Sequence, residues 1–345
     1  MKYFSVRWLG LIVGVACLFV WAGVATRQIK INDSTMGTTY HITARVRVWQ
    51  TKSGLKKRIQ RRLVRISKSM STYDSESEIS LFNRMGGTDF VVVSNSFYTV
   101  LSEANRLFHQ TDGALDVSIK PVLDAWGLYD FEKRFEVPKK REVELALSRV
   151  GFGGLAYWPP NQIKKPFREF SVDVSSVAKG YAVDELADIC RQLNIDNFLI
   201  EIGGDLFASG NGSKGRPWRV GINVPDERLA LDSVHKVVRL IDLAMATSGD
   251  YRRFHKHKGK RYSHIIDPKT GFPVKNGVAS VSVISENCMS ADGLATAIMV
   301  MGVKKGMILL NEMENTEGAI IIRSSKGKFR TLYSAGFEKF LASNF

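Results

Sequence analysis

The segment NFLIEIGGDLFASG, residues 197–210, constrains the fold most: two apolar runs joined by a bare Gly–Gly pair. A connection that short turns the chain back alongside itself. It allows only an antiparallel pair, because parallel neighbours need a crossover of a dozen or more residues. The same pattern recurs. TTYHITARVRVW, residues 38–49, alternates Tyr40, Ile42, Ala44, Val46 and Val48 against mostly polar neighbours, as a half-buried strand does. HKVVRLIDLAMATSGD (235–250) and GVASVSVIS (277–285) read as strands, the latter alternating Val with Ser. GAIIIR and KFRTLYS close the chain as a hairpin. Among these strands lie helices. Leu55, Ile59, Leu63, Ile66 and Met70 recur at helical spacing and predict an amphipathic helix. SNSFYTVLSEANRLFHQ predicts a second, capped near Ser94 or Ser96. Residues 177–193 predict a third, with Tyr181, Leu186, Ala187 and Cys190 or Leu193 inward. SADGLATAIMVMG opens another, followed by one over 303–313, while TDGALDVS reads as a turn leading into a short extended segment. Hairpins outnumber strand–helix–strand crossovers, so the expected fold is α+β, with mainly antiparallel sheets and packed helices.

The domain limits follow from the N-terminus. MKYFSVR carries two cations, and the 18 residues from Trp8 to Ala25 carry no charge. Three readings fit this segment: an uncleaved membrane anchor, a signal cleaved after Ala25, and a lipidated Cys17 preceded by GVA. All three put the folded part outside the cytoplasm. Lys2 and Arg7 face Arg27 and Lys30 across the segment, so the charge count alone does not orient it. The expectation is a signal or anchor over residues 1–30 and one folded domain over 31–345. Hydrophobic content of 44% with 24% charged residues describes a globular chain with a real core. The formal charge of +15 is uneven: residues 45–68 hold ten Lys and Arg and no acid, and a second basic run spans 252–261. Such charge suits an anionic partner or a solvated surface. No zinc-finger spacing, aromatic-interleaved RNA-binding pattern or basic zipper occurs, which argues against nucleic acid. Three cysteines in no metal spacing exclude a disulfide scaffold.

Several constellations could carry chemistry. Ser176-x-x-Lys179 and Lys269-Thr-Gly271 echo serine acylases, but no Ser-Asp-Asn occurs and the Lys-Thr-Gly follows Asp-Pro in a turn. In SADGLATA, Asp292 starts a helix and Thr296 lies one turn on, on the same face. Asp292 reads either as an ordinary helix-start acid or, with Thr296 and a backbone carbonyl, as a site for a hard cation such as Mg²⁺. In FSVDVSSVAKGYAVD, Asp173, a Ser-Ser turn, Lys179 and Gly180 read as a capped helix start or an anion-binding corner. EIGGD permits close backbone approach at Gly203 and Gly204, or is a plain hairpin turn. His264 in SHIIDPKTGFPV is either a structural histidine or an acid/base.

Taken together, the chain resembles the FAD:protein FMN transferase family, the ApbE-like flavin transferases. The matching runs are MGTTYHI, MSTYDSESEISLFN, DGALDVS, VDVSSVAKGYAVDEL, LIEIGGDLFASG, ATSGDY, YSHIIDPKTGFPV and MSADGLATAIMVMG, in that order, over roughly residues 33–340. The resemblance implies a T-fold-related architecture and Mg²⁺-dependent transfer of FMN from FAD to a Thr or Ser hydroxyl of a target protein, with AMP released. It implies FAD contacts at Met36, Tyr73, Ala114, Leu115, Asp116, Asp173, Lys179 and Ile266. It implies metal contacts at Asp292, Thr296, Ala295 and the Ser176 carbonyl, with His264 as acid/base. Implied partners are flavoprotein subunits of membrane redox complexes, met by a catalytic domain attached to the inner membrane and facing the periplasm. Two departures stand out. Ser175-Ser176 replaces small residues common there, and the helix before MSTYD is unusually basic.

The residues suit that chemistry. Phosphoryl transfer asks for positioning and charge neutralisation more than for a covalent nucleophile. A histidine can take the proton of an attacking hydroxyl at neutral pH, and Tyr73 can stack on a flat ring. Two rival functions use the same pocket: an FAD pyrophosphatase with water as acceptor, and a non-enzymatic flavin-binding lipoprotein.

Overall fold

An eight-stranded antiparallel sheet carries the fold, and its strands lie side by side in chain order. They are β1 (Thr26–Thr35), β2 (Thr38–Arg47), β3 (Asn197–Ile202), β4 (Asp205–Ser209), β5 (Leu243–Gly249), β6 (Val278–Ser285), β7 (Glu317–Arg323) and β8 (Phe329–Tyr333). The computed structural model describes residues 25–129, 135–226, 233–251, 254–324 and 328–342. The apolar segment with Cys17, apart from Ala25, lies outside the described residues, as do Arg252 and Arg253 of the second basic run.

The tight hairpins form where left-handed backbone is available. Met36 (φ 49°) and Gly37 (φ 71°) turn β1 into β2, and Gly203 (φ 60°) and Gly204 (φ 101°) turn β3 into β4. Glycine takes that conformation without strain, whereas Met36 pays a steric cost for it. Longer insertions carry the helices. Between β2 and β3 come α1 (Lys52–Met70), α2 (Glu78–Arg84), α3 (Asn95–Gln110), α4 (Lys120–Ala125), α5 (Lys140–Leu147) and α6 (Ser175–Gln192). Between β6 and β7 comes α7 (Cys288–Glu312). Ser94 caps α3, accepting from Phe97 N at 3.2 Å.

Both faces of the sheet are covered. One face packs Ile31, Ile42, Ile200, Phe207, Ala246 and Val283 against the helices. The other packs Leu206, Ala208, Met245, Ile284 and Ile321 against the hairpin Trp218–Asn223/Val234–Leu240 and against Phe337. This is why β4 and β6 are buried along their whole length and lose the polar alternation that β2 keeps. In β6 the Val/Ser alternation sorts Val281 and Val283 to the helical face and leaves Ser280 and Ser282 buried on the other. A register shift between Val278 and Ser280 puts Val278 on the helical face as well.

Three sequence expectations shift. β1 begins at Thr26 and pairs with β2 from there, so the folded body starts ahead of the boundary at residue 30. TDGALDVS does not continue as an extended run: Asp116 is extended, but its carboxylate accepts from Ser118 N (2.8 Å) to cap a 3₁₀ turn over Val117–Ile119. Cys190 rather than Leu193 is the buried residue at the end of α6.

Helices α6 and α7 cross against the sheet. Helix α7 is apolar and long enough to cross a membrane by length and composition. It is nevertheless an interior helix, with Ala291, Leu294, Ala297 and Ile298 fully buried. It breaks at Gly302 (φ 76°), beside which Asn276 Nδ2 donates to the Met299 carbonyl at 2.8 Å. The crossing is set by Gly180: a Cβ there would stand 2.3 Å from the Cys288 carbonyl oxygen and 2.6 Å from Met289 Cα. Gly180→Ala is therefore expected to force the two backbones apart and to cost about 1–3 kcal/mol, read as a lower midpoint in thermal or urea unfolding.

Candidate active site

The α6–α7 crossing brings charged groups from three elements together. Lys179, in the second turn of α6, reaches Asp205 at the start of β4 and Asp292 in α7. Its Nζ makes an ion pair with Asp205 and lies 3.2 Å from both oxygens of Asp292. Asp205 Oδ1 also accepts from Thr247 N of β5 at 3.2 Å. Asp292 Oδ2 lies 3.1 Å from the Gly180 N–H, the group whose helical acceptor would be the Ser176 carbonyl. The Gly–Gly turn before Asp205 is held to β2 by Gly203 N donating to the Thr39 carbonyl at 3.1 Å, which puts the Met36 turn next to it.

Two buried carboxylates face one ammonium, so the cluster is net negative when both carboxyls are ionised. Burial, and then the neighbouring Asp205, push the Asp292 carboxyl well above the usual carboxylate range, while Lys179 and the Gly180 N–H oppose the rise. Burial pushes the Lys179 ammonium down, but the two carboxylates outweigh burial and hold it charged. One turn beyond Asp292, the Thr296 hydroxyl meets Ser248 Oγ of β5 at 3.0 Å. The donors at this place are therefore a carboxylate, two hydroxyls and the first-turn carbonyl of Ser176. That all-oxygen set fits Mg²⁺, which keeps several waters and needs few carboxylates. Among the described residues no group of three or more His, Cys, Asp or Glu gathers. Ala295, also expected at the metal, is fully buried in α7 and has only its backbone to offer.

A second group lies just before α6. Asp173 N donates to the Val117 carbonyl (2.7 Å), its Oδ1 accepts from Ser175 N (2.7 Å), and its Oδ2 accepts from the Tyr129 hydroxyl (2.6 Å). Burial, then Asp173, raise the Tyr129 phenol far above its ordinary value, so it stays a donor. Tyr129 meets Tyr73 edge to face at 5.9 Å, and Tyr73 is 71% exposed, an unspent ring face at the mouth of the site. Ala114 and Asp116 flank this group, with burial raising the Asp116 carboxyl. Leu115 turns into the core: a Cβ on Gly293 would stand 3.2 Å from its Cδ2. Only the main chain of Leu115 is left to meet a ligand.

The Asp-Pro turn forms the third group. Gly271 N donates to the Asp267 carbonyl (2.8 Å), Ile266 bridges to Pro273, and Trp126 Nε1 donates to the Gly271 carbonyl (2.8 Å). Lys269 pairs with Asp112 at 2.6 Å and so ties the turn to the DGALD loop. This occupies the lysine of the acylase-like triplet, and Lys179 is spent on two carboxylates. His264 is half-buried at the bend between the strand Lys260–Ser263 and this turn, and Ile266 is buried against Trp126.

Sequence reading passed over Asp205, Thr247, Ser248 and Tyr129. Asp205 follows the glycines of EIGGD, and Thr247 and Ser248 lie in ATSGDY. Tyr129 carries no local signal, because only folding brings its hydroxyl to Asp173.

The sheet order, the helix insertions and the Lys179–Asp205–Asp292 cluster define a protein of the flavin-transferase type. Solved structures agree: the flavin transferase ApbE from Vibrio cholerae superposes with a TM-score of 0.83 at 38% identity, over 92% of this chain and all of that one. The flavinyl transferase ApbE of Pseudomonas stutzeri gives 0.82 at 30%, over 93% of this chain and 98% of that one. A Haemophilus influenzae relative named FAD:protein FMN transferase is 35% identical over 91% of this chain and 92% of its own. The chain belongs to the ApbE family, whose sequence pattern matches residues 36–321.

The start of α7, and with it Asp292, is held by Asp184 of α6, which accepts from Cys288 N (2.8 Å) and Met289 N (2.9 Å). Burial pushes its carboxyl up to about 7, against an ordinary 3.8. Between these values the native state keeps a proton that the unfolded chain has released, so stability falls as pH rises through this window. Asp184→Asn removes that slope. The expected result is that the variant gains on the wild type in unfolding free energy from pH 4 to 7, by at most about 4 kcal/mol, measured by urea titration at each pH.

Proposed function

We propose that this chain is a Mg²⁺-dependent FAD:protein FMN transferase. It moves the FMN half of FAD to a Thr or Ser hydroxyl of a target protein and releases AMP. The single observation that carries the reading is Lys179 set between the buried carboxylates Asp205 and Asp292, one turn from Thr296. Family membership supports the choice of flavin and acceptor. A magnesium ion held by Asp292, Thr296 and the Ser176 carbonyl would supply positive charge to the pyrophosphate.

In this reading the chain's own groups position FAD and move one proton. Tyr73 offers its exposed ring to the flat isoalloxazine or adenine. Met36, the main chain at Ala114 and Leu115, Asp116, Asp173 and Ile266 line the site, and Tyr129 fixes the Asp173 carboxylate. Lys179 neutralises phosphate charge, and Asp205 holds its ammonium in place. His264 takes the proton from the acceptor hydroxyl as its oxygen attacks the FMN phosphorus. The P–O bond to the AMP phosphate breaks, and AMP leaves with the bridging oxygen.

The apolar run before Ala25 supports attachment to the inner membrane, with the catalytic domain on the periplasmic side. The targets are flavoprotein subunits of membrane redox complexes, and nucleic acid is no partner.

The test incubates the protein with FAD, Mg²⁺ and candidate membrane redox proteins and follows the FMN adduct and AMP by mass spectrometry. AMP with free FMN and no adduct would make the chain a pyrophosphatase instead. Asp292→Ala should stay folded by circular dichroism, since Lys179 keeps its ion pair with Asp205. Its transfer rate should fall by about two to three orders of magnitude, with more Mg²⁺ needed to saturate the residual activity. A folded Asp292→Ala protein with wild-type rate and Mg²⁺ dependence would place the metal elsewhere.

A further inference from the structure

Helix α1 turns Leu55, Ile59, Leu63 and Ile66 inward and a row of cations outward. Lys56 pairs with Asp33, and Arg62 pairs with Glu185. Lys57, Arg58, Arg61, Arg65 and Lys68 are exposed and form no ion pair among the described residues. Val64, 55% exposed, stands among them, between Arg61 and Lys68 on the same helical face. At the N-terminal end of α1, Trp49 is 56% exposed, with the Arg47 guanidinium 5.6 Å from its ring centre. The uncharged run of residues 8–25 joins the fold at this corner. The Ala25 carbonyl accepts from Val48 N at 3.1 Å, and the Arg27 guanidinium donates to the Gln50 carbonyl at 3.2 Å.

We propose that the outer face of α1 lies against an anionic lipid surface, its cations meeting phosphate headgroups, and that this contact sets how the active site faces the membrane. The inference rests on the membrane attachment proposed above. Unpaired cations without intervening acids are attracted to anionic leaflets. Trp49 and Val64 supply the apolar contacts that sit at a membrane interface. A tether entering beside Trp49 keeps the helix at high effective concentration near that surface. The helix has 19 residues, about 28 Å at the usual rise per residue, and at its far end Ser71 leads to Tyr73. Laid flat, α1 would hold the mouth of the flavin site beside the membrane, where a membrane-bound acceptor presents its hydroxyl.

The test uses the full chain carrying Val64→p-benzoylphenylalanine, reconstituted into phosphatidylcholine vesicles with or without phosphatidylglycerol and irradiated. Mass spectrometry reads the adduct at position 64, and flotation in high salt reads attachment separately. The expected result is a lipid adduct in phosphatidylglycerol vesicles at low salt. It should fall severalfold in high salt, where screening shortens electrostatic reach, and in the combined variant Lys57→Glu, Arg61→Glu, Arg65→Glu. Flotation of that variant and its FMN transfer in detergent should not change. Protein that floats but gives no lipid adduct would overturn the proposal and leave attachment standing. An adduct indifferent to charge reversal would overturn it too. Loss of transfer by the charge-reversed variant in detergent would assign the face to a protein target instead. If the wild type fails to float in high salt while the low-salt adduct persists, attachment fails and the lipid-facing helix stands.

Discussion

Burying two carboxylates beside a partly exposed ammonium is costly, because the groups give up hydration and the attraction between them repays that only in good geometry. In this protein the geometry comes from four sources at once. Asp205 is fixed by the Thr247 amide, Asp292 by the Gly180 amide, Lys179 by the start of α6, and the start of α7 by Asp184. The cluster in turn demands that two helices cross with backbones nearly touching, which only a glycine at position 180 permits. The packing of α6 and α7 and the electrostatics of the site are therefore one arrangement. A change to either disturbs the other.

The sheet serves this arrangement by delivering ends rather than faces. β4 starts with Asp205, β5 ends near Ser248, and the hairpin turns at Met36–Gly37 and Gly203–Gly204 sit together at the same edge. Because β3 and β4 are joined by two glycines, the acid arrives at the site with no loop to wander. The inserted helices then close the site from one side only. The opposite sheet face packs an apolar cluster of its own.

Charge is distributed with the same division. The carboxylate and hydroxyl oxygens of the interior cluster suit a hard cation and, through it, phosphate. Part of the excess positive charge lies outside, on α1, whose inward stripe is ordinary core.

Much of this was legible in the sequence. The period-2 runs and the bare Gly–Gly turn required antiparallel pairing, since no other connection spans so few residues. The 4-4-3-4 spacing placed α1, and eight short motifs in order pointed to the family. Asp292 and Lys179 stood out because a charged residue among small and apolar neighbours early in a helix is visible locally. Asp205 did not: next to Gly203 and Gly204 it reads as a turn acid, and its role exists only once Lys179 arrives from 26 residues upstream and Asp292 from 87 residues downstream. Tyr129 and Asp173 meet across 44 residues of chain, and Leu115 was assigned to the site before packing turned it inward. The buried polarity of β6 was equally invisible, because a Val/Ser alternation cannot say that a second layer covers the serines. Local spacing determines which face of an element is apolar; which charges share one low-dielectric pocket is decided only when distant segments pack, because the energy of a buried charge depends on every neighbour that replaces its water.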